Sequence, residues 1–112
     1  MISRDSTVGV ITALQLKELL ATDHPPIVLD VREDEELKIC SLPTYVHIPL
    51  RDLSQEWDQL PKDQLIVTLC HHGYRSLQAG LFLINHGYDQ VLNLEGGIHA
   101  WADQVDPSMT RY

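Results

Sequence analysis

The chain has 112 residues, 44% hydrophobic and 21% charged, a length that supports one compact domain with its own core and a composition that excludes intrinsic disorder. Sixteen acidic against eight basic residues leave a formal net charge of −8, which disfavours unspecific attraction to nucleic acid or to an anionic membrane. No apolar stretch approaches the roughly 18 residues of a membrane span, and Met1 to Val10 lacks the layout of a secretory signal, so no membrane association and a cytoplasmic location are the expectations.

Taken in chain order, Thr7 to Ile11 is short and β-branched and predicts a strand. Thr12 then stands where an N-cap belongs, ahead of Leu14, Leu16, Leu19 and Leu20 at helical spacing. After Pro25 and Pro26, the run Ile27 to Val31 is continuously apolar save for Asp30, the pattern of a strand buried on both faces. Glu33 to Leu37 predicts a short helix, and Tyr45 to Pro49 a brief strand closed by a proline. The acidic run Glu33 to Glu36 reads as a solvated helix face, with a docking surface for a basic partner as the other reading.

Leu50, Leu53, Trp57 and Leu60 then repeat at helical spacing until Pro61. Gln64 to Leu69 predicts a second buried strand, which leads directly into Cys70. Leu77, Leu81 and Ile84 place a helix that begins at or near Ser76 and stops at Gly87. Val91 to Leu94 is a last strand, followed by Gly96, Gly97 and a brief helix holding Trp101. The expected unit is a single domain over residues 1–112, with a core of about 8–104 and a loosely held tail, 105–112. Apolar runs alternating with helices predict an α/β fold, a mostly parallel sheet with helices on both faces. Ligands of such sheets bind beyond the carboxyl ends of the strands, which places the site where Leu69 meets Cys70.

That junction, Cys70-His71-His72-Gly73-Tyr74-Arg75-Ser76, sets a thiol at the start, a glycine in mid-turn and a cation at the end. Main-chain N–H groups at a helix start lack partners within the helix, and the helix dipole adds positive charge there, so an anionic sulfur is stabilised. Gly73 permits positive φ or a close main-chain approach, and Arg75 offers a fork of donors for an oxyanion. The combination reads as a nucleophile inside an anion pocket, where an isolated cysteine at a strand end would read as a packing residue.

At these residues the chain closely resembles the rhodanese family of sulfurtransferases, from about Val8 to Trp101. Ile27-Val28-Leu29-Asp30-Val31-Arg32-Glu33 is similar to the family's early strand motif and His47-Ile48-Pro49-Leu50 to its next. Val91 to Trp101, with Glu95-Gly96-Gly97 at its centre, is similar to its closing signature. The resemblance implies that Cys70 is the persulfide-forming nucleophile. It also implies that His71, His72, Gly73, Tyr74 and Arg75 form the substrate-binding loop whose amides surround the transferred sulfur. The loop has four residues between Cys70 and Arg75, against five in tyrosine-phosphatase-type pockets, which favours sulfur over phosphate. The implied partners are a small anionic donor such as thiosulfate, or a protein persulfide, and a thiol or cyanide acceptor; no cofactor is implied.

Two departures from the family pattern stand out. His71 occupies a position often basic in efficient thiosulfate users, so its help to an anion grows only as pH falls. Ser41 to Tyr45 replaces a more usual His and small Gly-Ala pair, a change of packing near the site. Among the remaining candidates, His71 and His72 with Cys70, or with His86 and His99, repeat no zinc-type spacing, so no metal site is expected. Asp30 and Arg32 read as structural partners, Cys40 as a packing residue in preference to a resolving thiol, and Trp57 and Trp101 as core. A sulfur carrier or interaction module, and a phosphatase or arsenate-reducing variant of the fold, are the alternative functions.

Overall fold

A computed structural model describes residues 8–112; the expectations for Thr7 and for the domain before residue 8 lie outside the described residues. Five strands, β1 (Gly9–Ile11), β2 (Ile27–Asp30), β3 (Val46–His47), β4 (Ile66–Leu69) and β5 (Val91–Leu94), form one sheet. Their order is β1-β5-β4-β2-β3 and every pairing is parallel. Between them lie α1 (Ala13–Leu20), α2 (Asp34–Ile39), α3 (Leu53–Glu56), α4 (Tyr74–Asn85) and, after β5, α5 (Gly97–Gln104). The α/β class, with a wholly parallel sheet, agrees with the expectation.

Both faces of the sheet are buried because adjacent strand residues point opposite ways. Leu29, Ile66 and Val91 face Leu53 of α3 and Ala79 and Leu83 of α4. On the opposite face Val28, Val67 and Leu94 meet Ala13 and Leu16 of α1 and Ile98 and Trp101 of α5. Thr12 caps α1 as expected: its hydroxyl accepts from the Gln15 amide at 3.1 Å, and its own amide donates to the Gln15 side chain at 2.9 Å. The expected helix from Leu50 to Leu60 is instead three short turns, a 3₁₀ turn (Leu50–Asp52), α3 and a second 3₁₀ turn (Trp57–Gln59). Apolar spacings of three and four are met equally well by α and 3₁₀ geometry.

The tail departs from expectation. Asp106 turns the chain, its carboxylate accepting from the Ser108 amide at 3.2 Å, and the segment runs back along the domain. Met109 packs against the α1/α5 cluster, Arg111 pairs with Asp103, and Tyr112 reaches the loop after β4. The tail expected to be loosely held carries tertiary contacts at both an apolar and an aromatic residue.

The order of the strands decides where chemistry can sit. The chain leaves β2 toward the β3 edge and leaves β4 toward the β5 edge, and β2 and β4 are neighbours. A crevice opens beyond the carboxyl ends of two such diverging strands. Cys70 follows β4 there, and α2 follows β2.

Candidate active site

Cys70 is only 1% exposed, and its sulfur is a focus of donors. The amides of Gly73 and Ser76 point at Sγ from 3.1 and 3.3 Å, and the Ser76 hydroxyl lies 3.2 Å away. Gly73 makes this possible. It is the residue before α4 and adopts φ of 113°, a left-handed conformation that L side chains rarely hold. The helix therefore starts at Tyr74, two residues earlier than the spacing of its leucines suggests, and its N-terminal dipole is directed at the sulfur.

Behind Ser76 stands a buried polar relay. Asn93 of β5 accepts from the Ser76 hydroxyl at 2.5 Å and from Thr68 at 3.3 Å, while its amide donates to the Gly73 carbonyl at 3.1 Å. The serine hydroxyl has one hydrogen. With a neutral thiol, S–H donates to Ser76 and Ser76 donates to Asn93; with a thiolate, the serine hydrogen turns to sulfur and Thr68 still supplies Asn93. The relay can thus serve either charge state without leaving a buried group unpaired.

The second wall of the crevice comes from α2. Arg75 is gripped by both carboxylate oxygens of Glu36, at 2.6 and 2.8 Å. The Arg75 guanidinium is the main reason the Glu36 carboxyl falls to about 2, helped by the Glu33 amide and the Tyr112 hydroxyl against the opposing effect of burial. The fork expected to face an oxyanion is thus occupied by a carboxylate. The Arg75 guanidinium stays charged beside the loop, its pKa held above the usual arginine range chiefly by the bond to Glu36.

Glu36 is itself held from below. Arg32, wholly buried, pairs with the equally buried Asp30 at 2.8 Å and donates to the Cys40 carbonyl at 2.9 Å and the Tyr112 hydroxyl at 3.0 Å. Burial opposes the Arg32 charge, and the Asp30 and Tyr112 contacts more than offset it. Tyr112 passes its own hydrogen to Glu36 at 2.7 Å. Asp30 and Arg32 therefore have the structural place expected of them, tying the end of β2 to α2. Cys40 packs beside the α1/α5 cluster, where Trp101 is core; Trp57 packs at the edge of the other cluster.

The loop residues divide sharply by position. The Tyr74 side chain is 80% exposed, so what it offers the sulfur is main chain alone. His71 is stacked between His72, at 3.9 Å, and Tyr112, at 3.8 Å. Burial, then the neighbouring His72, push its imidazole below the ordinary value, which weakens any cationic help near neutral pH. The loop is clamped to α5: the Ile98 and His99 amides donate to the Cys70 and His71 carbonyls at 2.8 and 3.2 Å. Only a glycine fits at residue 97, since a Cβ there would lie 2.3 Å from the His71 oxygen.

Glu36, Ser76, Asn93 and Tyr112 were not among the sequence candidates. Asn93 carried a signal, a polar residue inside an apolar strand; Glu36 was masked by its acidic neighbours. A hollow of about 600 Å³ is lined by residues such as Leu20, Pro26, Tyr45 and Trp101 and by none of the loop. Donors converging on a buried sulfur, and not cavity volume, mark the site.

Comparison with known proteins places the fold. The sequence profile of the rhodanese-like domain matches residues 12–104. A sulfurtransferase of Allochromatium vinosum is 35% identical over 95 residues, covering 85% of this chain and 89% of that protein. The crystal structure of a rhodanese-related protein from Thermoplasma volcanium is 34% identical, covers 87% of this chain and 93% of its own, and superposes with a TM-score of 0.79. A rhodanese-like domain protein from Staphylococcus aureus is 30% identical, with 94% and 99% covered and a TM-score of 0.81.

Proposed function

Because this chain belongs to the rhodanese-like domain family, we propose that it is a sulfurtransferase whose persulfide forms on Cys70. The observation that carries the reading is the pair of amides, Gly73 and Ser76, aimed at Sγ at the start of α4. They favour an anionic sulfur, and an anionic sulfur is the nucleophile. In the first half-reaction the Cys70 thiolate attacks the outer sulfur of the donor, forming an S–S bond. The donor's own bond breaks with its electron pair on the leaving group, sulfite from thiosulfate or a thiolate from a protein persulfide. In the second, cyanide or a thiolate removes the outer sulfur and regenerates the Cys70 thiolate. The loop amides and the helix dipole stabilise the charge on the outer sulfur between the two steps. Neither half needs a cofactor.

The donor is selected by what the crevice offers. With Arg75 engaged by Glu36 and His71 held toward its neutral form, little free cation remains for a dianion. A protein persulfide is therefore the better donor and thiosulfate the poorer one. A carrier role uses the same persulfide and differs in passing it to a partner's thiol.

Intact-mass spectrometry after exposure to thiosulfate or to a protein persulfide tests this. The expected result is a gain of one sulfur atom, absent in Cys70→Ser, present in Cys40→Ser and removed by cyanide. An adduct that survives Cys70→Ser, or none from either donor, overturns the reading.

A further inference from the structure

The fold brings His99 to a pair of imidazoles, His71 and His72, from which the sequence holds it apart. His71 and His72 sit on the loop after β4, and His99 lies in the first turn of α5. Because the His99 amide is bonded to the His71 carbonyl at 3.2 Å, the two segments meet at a fixed distance. One ring nitrogen from each of His71, His72 and His99 lies within 4.8 Å of the others. The rings of His72 and His99 are 5.3 Å apart, and those of His71 and His99 6.4 Å.

From this convergence we propose that His71, His72 and His99 form a binding site for a divalent transition ion of the zinc class, built from the Cys70 loop and α5 and not including the Cys70 sulfur. The inference does not rest on the sulfur-transfer reading. Imidazole is the ligand type that suits zinc, nickel and copper, and three imidazoles with an open fourth position is an established donor set for zinc. Bonds of about 2.1 Å to one tetrahedral ion require ligand nitrogens roughly 3.4 Å apart. Closing from 4.8 Å is within the reach of side-chain rotation by His72 and His99, which are exposed.

Two further features fit the assignment. Asp103 lies 3.5 Å from His99 Nε2, and a carboxylate beside an imidazole is the usual means of orienting a ligating ring. His47 and His86, by contrast, are each held by a main-chain carbonyl at 2.7 Å and lie outside the cluster. The expectation that the chain has no metal site followed sequence spacing. His72 and His99 are far apart in the chain, and only the adjacency of β4 and β5 makes them neighbours.

Calorimetric titration with Zn²⁺ alone, on the whole chain, provides the test. One ion per chain is expected, with affinity lowered tenfold or more in His72→Ala and in His99→Ala and kept in His86→Ala and Cys70→Ser. The side-chain NMR signals of His71, His72 and His99 should shift together. Absence of saturable binding, undiminished affinity in His72→Ala, or loss of binding in Cys70→Ser would each overturn the site; the last would mean that the ion sits on the thiolate. His72 is exposed and its replacement is expected to leave the fold intact, so that variant decides even where His99→Ala folds poorly.

Discussion

Replacing Glu36 by glutamine removes a charge and keeps the shape of the side chain. Glu36 holds Arg75 through two short bonds, and its carboxyl is drawn from 4.5 to about 2. Unscreened, that difference corresponds to about 3 kcal/mol. The Arg75 side chain is 35% exposed, and solvent screening brings the expected loss to about 1–2 kcal/mol, a fall in Tm of about 5–15 °C for a domain of this size. The pH dependence carries the sharper signature. An unfolded glutamate takes up its proton at higher pH than the folded one. The stabilisation is therefore complete above about pH 4.5 and drains away as pH falls toward 2. Urea unfolding of the parent and Glu36→Gln at pH 7, 4 and 2.5 should show a gap that narrows steadily as pH falls. A gap of constant size, or none at pH 7, would refute the assignment of this stability to the Glu36–Arg75 pair.

Three other substitutions probe neighbouring features. Ser76→Ala removes the hydroxyl between Cys70 and Asn93; a stability loss of about 1–2 kcal/mol is expected, with several-fold slower alkylation of Cys70 by iodoacetamide. Tyr112→Phe deletes the hydroxyl that joins Arg32 to Glu36; about 1 kcal/mol should be lost in urea unfolding, and faster amide exchange in residues 106–112 would accompany it. Gly97→Ala drives a Cβ to 2.3 Å from the His71 oxygen at a φ of 63°, so a loss above about 4 kcal/mol, read as insoluble or unfolded protein, is the expected outcome.

The strands were legible because their runs are mostly apolar, with one polar residue each: Ile27 onward, Ile66 onward and Val91 onward all lie in the sheet. Cys70 was legible for the same reason, since a buried strand followed by Gly73 and a helix fixes where a thiol must stand. What the sequence did not disclose depends on contacts between distant segments. Nothing local to Glu33–Glu36 marks Glu36 as the residue that meets Arg75, 39 positions away. The tail reads as polar from Asp106 to Ser108, and only the folded surface offers Tyr112 a ring to stack on. The helix after Cys70 began early because Gly73 sets its first turn by φ, a property that leucine spacing does not carry.

The strand order also constrains how the chain is made. β1 has a single neighbour in the sheet, β5, and so stays unpaired on a ribosome until residues 91–94 have emerged. The clamp on the Cys70 carbonyl comes later still, from Ile98. A nascent chain therefore carries its thiol, while the stretch from Cys70 to Ile98 is being made, without the segment that fastens the loop. Assembly of the sheet and closure over the sulfur become one late event, completed after translation has passed α5.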